Sequence, residues 1–252
     1  MMKILHLDLE TAPITAYVWG LWKQNISLKQ IIDTSRVMCF AAKWDGEKGK
    51  PVFYSEWGDG HEQMIVKLFE LVNEADAVCS YNGKRFDIPV ANREFLLYKL
   101  GKPAPHKDID LFPVVKSNFR FSSNKLDNIA QELGLGAKTQ HTGFQLWVDC
   151  MNGDKKAQKL MEKYNVQDVV LLPKLYKRLL PYINNHPNHA LYTDKERPVC
   201  TNCGGSHVQK RGVEKTKTQI YQRYQCKDCG TWMKGRSTIV PKDKRKHVLF
   251  TL

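Results

Sequence analysis

No run in the 252-residue sequence approaches the roughly 18 apolar residues that cross a bilayer, so no membrane-spanning helix is expected, and no membrane partner is expected either. Residues 1–15 also lack the sequence of charge, apolar stretch and small-residue cleavage site that marks a secretory leader. The protein is therefore expected to stay in the compartment where it is made. A closed disulfide framework is lacking too. The seven cysteines are an odd number, and Cys200/Cys203 and Cys226/Cys229 form two C-x-x-C pairs that read as metal ligands in a reducing cytoplasm, bacterial or that of a virus-infected cell. Cys39, Cys79 and Cys150 remain as expected buried thiols. Internal repeats are absent, and the only biased segment is 241–247.

Acids are scarce: 26 Asp and Glu stand against 39 Lys and Arg, a net charge of +13. Hydrophobic residues at 42% and aromatics at 10% are ordinary for a globular chain, so the charge is not a sign of disorder. A folded basic protein of this kind suits a polyanionic partner, nucleic acid above an acidic membrane surface. The length allows one large domain and one small one, and excludes a multidomain machine.

Short apolar runs at 3–10, 37–44, 51–57 and 77–81 read as strands, with a further one at 107–112. Helical spacing marks 61–73, 88–100, 124–133 and 154–182. Three strands precede the first long helix, so the class is α/β, with an opening antiparallel meander joined to a mixed sheet flanked by helices. After Pro181 the polar stretch 184–198 reads as a linker. Residues 191–252 hold 14 Lys and Arg against 5 Asp and Glu, so most of the positive charge lies there. This gives a large domain over 1–183, a small module over 199–238 and a basic tail over 239–252.

Three elements carry acids in places that need explaining. Asp8 and Glu10 sit two apart on an otherwise apolar strand and point to one face, either as solvated strand-end acids or around a cation. Asp87 follows Asn82, Lys84, Arg85 and Phe86 at a strand-to-helix junction, where it either caps the helix or faces the crevice beside Asp8. Tyr164 and Asp168 lie one turn apart on a helix. Asp110 reads as a strand-end acid that either supports the site or is purely structural. His6, His106 and His141 have no partner at ligand spacing and read as structural or surface residues. The aromatic stretch Tyr17, Trp19 and Trp22 is expected to pin a long connection to the body, with a role in lining a substrate groove as the alternative.

Taken in order, D-x-E, N-x-x-x-F-D and Y-x-x-x-D resemble the three motifs of the DEDDy branch of the DEDD 3′-to-5′ exonucleases, which share the RNase H-like fold with the proofreading domains of family B DNA polymerases. The helix beginning Lys125-Leu-Asp-Asn is of the kind found between the second and third motifs, and Lys163 occupies the place of the histidine used by the sister branch. The resemblance implies two Mg²⁺ or Mn²⁺ ions. Asp8 would bridge them, Glu10 and Asp168 would complete the first site, and Asp87 would anchor the second. Tyr164 would orient the attacking water, and 5′-mononucleotides would be released from nucleic acid, DNA above RNA and single-stranded 3′ ends above duplex. Asn82 and Phe86 are candidates for holding the terminal nucleotide. Lys84 and Arg85 are candidates for phosphate contacts. Proofreading would act in trans, with a replication or repair protein as partner. An RNase H-like endonuclease and a non-catalytic nucleic-acid-binding protein are the alternatives.

The spacing Cys200-x-x-Cys203, 22 residues, Cys226-x-x-Cys229 suits one tetrahedral structural zinc, with Gly204 and Gly230 allowing the turns behind each pair. The module resembles a zinc ribbon that depends on its metal to fold. Arg211, Lys215, Lys217, Arg223, Lys234 and Arg236 among Tyr221 and Trp232 read as a nucleic-acid-binding surface.

Overall fold

The computed structural model describes residues 2–137, 139–140, 142–194 and 197–251. His141 lies outside them. Two units separate, one over Lys3–Leu175 and one from Tyr176 onward.

In the first unit, β1 (Ile4–Thr11) is covered on both faces along its first half: Leu5, Leu7 and Leu9 fill one face, which leaves His6, Asp8 and Glu10 on the other, with His6 buried too. Each of those leucines, at full burial, stabilises the unit by about 2 kcal/mol. After β1 come a small ribbon of β2 (Thr15–Ala16) and β3 (Ile31–Asp33), then β4 (Val37–Trp44) and β5 (Val52–Ser55). Helix α1 (His61–Glu74), β6 (Ala77–Ser80), α2 (Asp87–Leu97) and β7 (Lys107–Asp110) follow. Helices α3 (Leu111–Asn118), α4 (Leu126–Glu132), α5 (Gln145–Met151) and α6 (Lys155–Leu179) end the series.

The main sheet has the order β5-β4-β1-β6-β7. β1, β4 and β5 pair antiparallel as the expected meander, whereas β6 and β7 join in parallel, so the sheet is mixed. Met64, Ile65 and Leu68 of α1 and Phe95 of α2 pack on the leucine face of β1. Leu146 and Cys150 of α5 and Met161 of α6 pack with Cys39, the cross-strand neighbour of Glu10, on the opposite face. The acid-bearing face of β1 is therefore the one that meets α5 and α6. Cys39, Cys79 and Cys150 are buried as expected.

The strand expected over 107–112 stops at Asp110, because its carboxylate accepts the Phe112 N–H at 3.1 Å and starts α3. The helix expected to 182 ends at Leu179 and tightens into a 3₁₀ turn, Leu180–Tyr182, at Pro181.

The second unit holds a three-stranded antiparallel sheet, β8 (Val208–Lys215), β9 (Ile220–Cys226) and β10 (Trp232–Thr238), with β9 central, then a one-turn α7 (Lys242–Arg245). Residues within 184–198 have partners of their own. His186 accepts or donates at 2.7 Å to the Tyr176 hydroxyl and stacks on His189, whose backbone N–H donates to Thr201 O at 2.8 Å. Asn202 Nδ2 donates to both Leu180 O and Ile183 O.

Candidate active site

A crevice of about 770 Å³ opens in the first unit, and Asp8, Asn82, Tyr164 and Asp168 all line it, together with Tyr81, Phe112 and the 123–127 segment. β1 supplies Asp8. The turn after β6 supplies Asn82, and α6 supplies Tyr164 and Asp168, whose four-residue spacing turns both to the same side. Asp168 is only 2% exposed. On α6 the buried stripe Met161, Asn165, Asp168, Leu172 follows helical spacing, so Asn165 and Asp168 are a polar pair set into an apolar face.

Asn165 was not foreseen from sequence. Its Nδ2 donates to Asp8 Oδ2 at 2.7 Å and to Asp8 O at 3.2 Å, which fixes both the side chain and the backbone of that acid. The available signal was a buried-register asparagine between Tyr164 and Asp168. Trp147 on α5 was also missed. Its Nε1 donates to Glu10 Oε2 at 3.1 Å while its ring meets Tyr164 edge-on at 5.9 Å, so one indole ties the first motif to the third. Glu10 lies where the β1–β4 register shifts between Glu10 and Thr11. Glu10 and Asp87 do not line the crevice with the other two acids; each is bonded instead to a neighbour.

For Asp87 that neighbour is Leu9. α2 begins at Asp87 itself and has no side-chain cap, which overturns the reading of this acid as the helix cap. Its Oδ1 instead accepts the Leu9 N–H at 2.9 Å. β1 and β6 pair only from Ile4/Ala77 to His6/Cys79, so beyond that point the Asp87 carboxylate takes the place of a strand. Burial, followed by the Asp110 charge, raises the Asp87 pKa from 3.8 to about 7, although the Leu9 amide pulls it down.

The turn that delivers Asp87 is tightly built. Asn82 adopts φ +71°, and Asp110 clamps the turn by accepting the Asn82 N–H at 2.8 Å and the Lys84 N–H at 3.3 Å. A Cβ on Gly83 would lie 2.1 Å from Ser80 Oγ, so only glycine fits there. Asp110 is thus structural. Lys84 and Arg85 are exposed, and Phe86, 42% exposed, points away from any core role. None of these three lines the crevice. His6 is buried against Asp45 at 3.1 Å, and His106 Nδ1 lies 3.2 Å from Ala104 O.

Hard oxygen donors around a buried acid that the fold leaves poorly solvated suit a hard divalent cation. The carboxylate oxygens do not gather in threes within 4.8 Å among the described residues. Cys39, behind Glu10 and Asp8, is an inert thiol whose pKa is driven up by burial first and by those acids next.

A second donor set lies in the second unit. The sulfurs of Cys200, Cys203, Cys226 and Cys229 all fall within 4.8 Å of one another, and the Cys200–Cys229 and Cys203–Cys226 separations are both 3.6 Å. Tetrahedral zinc with 2.3 Å bonds needs sulfurs about 3.8 Å apart, so the set fits zinc. The turns are those expected: Gly204 and Gly230 have φ +68° and +83°, and their N–H groups donate to Cys200 O and Cys226 O. The contact between the Cys200 and Cys203 thiols lowers the pKa of Cys200 and raises that of Cys203.

A family model for the RNase H superfamily matches residues 30–180. A DNA polymerase of Methanocaldococcus jannaschii is 24% identical over 172 residues, an alignment that covers 56% of this chain and 10% of that protein. The solved family B DNA polymerase from the hyperthermophilic archaeon Pyrobaculum calidifontis superposes with a TM-score of 0.54 at 16% identity, covering 72% of this chain and 25% of that one. The chain therefore spans a tenth of one relative and a quarter of the other, and the superposition shows the fold expected from the three motifs.

Proposed function

Because this chain belongs to the RNase H superfamily and carries an RNase H-like nuclease domain, we propose that it is a metal-dependent 3′-to-5′ exonuclease of the DEDDy type. It hydrolyses nucleic acid, DNA in preference to RNA, to 5′-mononucleotides. The observation that carries this reading is the convergence of Asp8, Tyr164 and Asp168 on one crevice beside the Asn82 turn. The likeness to parts of two DNA polymerases supports DNA as the substrate.

Asp8, Glu10, Asp87 and Asp168 would hold two divalent ions, which when bound supply the Lewis acidity that activates a water and stabilises the leaving oxygen. The residues of the chain supply position. The Tyr164 hydroxyl holds the attacking water in line, more by orientation than by basicity. Asn165 selects one Asp8 rotamer, and Trp147 restrains Glu10 while packing on Tyr164. Asn82 reads the terminal nucleotide in the crevice, while Phe86, Lys84 and Arg85 meet the strand outside it. In the second unit the four cysteines would hold a structural zinc, and the basic face of the ribbon retains nucleic acid.

The test is digestion of 5′-labelled single-stranded DNA and RNA with Mg²⁺ or Mn²⁺. A ladder shortening one nucleotide at a time from the 3′ end is expected, and Asp8→Ala should abolish it. Survival of both strands, or cutting of a circular strand, would overturn the reading.

A further inference from the structure

Between the first acid strand and β4 the chain makes an excursion whose side chains face the wrong way for a folded protein. The sequence led us to expect that Tyr17, Trp19 and Trp22 pin this connection to the body. They do not. Tyr17 is 76% exposed, Trp19 97% and Trp22 83%, and Leu21 and Leu28 are exposed beside them. The excursion is nonetheless ordered by its own polar groups. Ala12 N–H donates to Arg36 O at its root, and Arg36 grips Glu56 through two nitrogens at 2.7 and 3.0 Å. Further out, Tyr17 N–H donates to Gln30 O, Gln30 Nε2 returns a bond to Tyr17 O, and a capping box at Ser27 closes the turn. The two ends of the excursion are held by these bonds while the rings between them are left in water, an exposed aromatic patch of the kind that marks an interaction site.

The charge of the segment selects the occupant. From Ala12 to Ile32 it carries Lys23 and Lys29 and no acid. Bare aromatic faces interleaved with lysines complement a strand that presents bases and phosphates together. The root also leads toward the acids. Thr11, Pro13, Phe144 and Trp147 line an apolar groove of about 420 Å³, and Trp147 is the indole bonded to Glu10. We infer that this flap is a stacking platform for single-stranded nucleic acid, with Tyr17, Trp19 and Trp22 stacking bases and Lys23 and Lys29 meeting phosphates of the strand whose end enters the carboxylate crevice. It requires a nucleic-acid ligand but not hydrolysis.

The experiment measures binding of the full chain to a fluorescein-labelled 20-nucleotide oligo(dT), with no magnesium or manganese added. The double variant Trp19→Ala/Trp22→Ala should bind about tenfold or more weakly, given one to two lost stacks. Phenylalanine at both positions should restore most of the affinity, and an unchanged melting temperature in both variants excludes misfolding. An oligonucleotide of the same length without bases should bind parent and double variant equally. Affinities for oligo(dT) within about twofold overturn the proposal. So does a dimer in sedimentation velocity that dissociates in the double variant while oligonucleotide affinity stays fixed, since a second copy would then be the occupant. Hydrolysis separates the two readings: ring-dependent binding without cleavage leaves the flap and removes the exonuclease, and cleavage with ring-independent binding does the reverse.

Discussion

Asp87 shows what a single side chain contributes when it is placed out of water. With its pKa raised to about 7, the native chain keeps a proton that the unfolded chain gives up near pH 4. The unfolded state therefore binds fewer protons across that window, and the stability of the metal-free protein falls as pH rises through it. The loss from this group is about 2–4 kcal/mol by pH 8. Asp87→Asn keeps the Oδ1 that accepts Leu9 N–H and removes the charge, so thermal melts without divalent ions should show a higher midpoint at pH 8 and a flatter slope between pH 4 and 7, while hydrolysis is lost. Asn165 acts differently, through Asp8. Asn165→Ala should cut activity by roughly 10- to 100-fold and raise the Mg²⁺ concentration for half-activity, as loss of an outer partner of a metal ligand does. An unchanged Mg²⁺ requirement would show that Asn165 serves packing alone.

At the scale of elements, the turn from Asn82 to Phe86 sets where two motifs meet. Gly83→Ala drives a Cβ against Ser80 Oγ and Cβ, so the turn must shift, at about 1–3 kcal/mol, and Asp87 with it. A lower melting temperature accompanied by weaker metal dependence is the expected pair of effects. Most of the sheet was legible because its strands are short, apolar and bounded: the run read over 37–44 is β4 as observed, Val37–Trp44. The acids were legible because Asp8 and Glu10 break the polarity of an apolar strand. Helix α5 was not, since its seven residues are too few to show a period, and with it went Trp147. Nor was the end of β7 legible, because a cap works through one hydrogen bond, which alternation cannot register. The flap misled for a physical reason: aromatic residues normally mean burial, and only the folded backbone reveals that nothing covers these.

For the whole molecule, the charge and the chemistry are divided between two units of different kinds. The larger is stable through its core, while the ribbon has few buried apolar side chains and its central strand β9 ends at Cys226, one of the four cysteines. Stripping zinc with a chelator should expose four rapidly modified thiols and remove the β-sheet signal of the ribbon, while the main melting transition remains. Retention of the ribbon signal without metal would show that its strands hold themselves. On that ribbon the Arg223 guanidinium lies 4.8 Å from the Trp232 ring centre and donates through Nε to Arg211 O at 3.0 Å, and Lys234 lies 5.4 Å from the Tyr221 ring. Arg223 is thus held by the ring and by the Arg211 carbonyl together, whereas Lys234 pairs with Glu214 at 2.9 Å. A side chain held in this way loses its conformational entropy in folding rather than in binding. Arg223→Lys keeps the formal charge but gives up the planar stack and the carbonyl bond. Its affinity for single-stranded DNA should fall about three- to fivefold with no change in the salt dependence, a signature that separates held charge from mere charge.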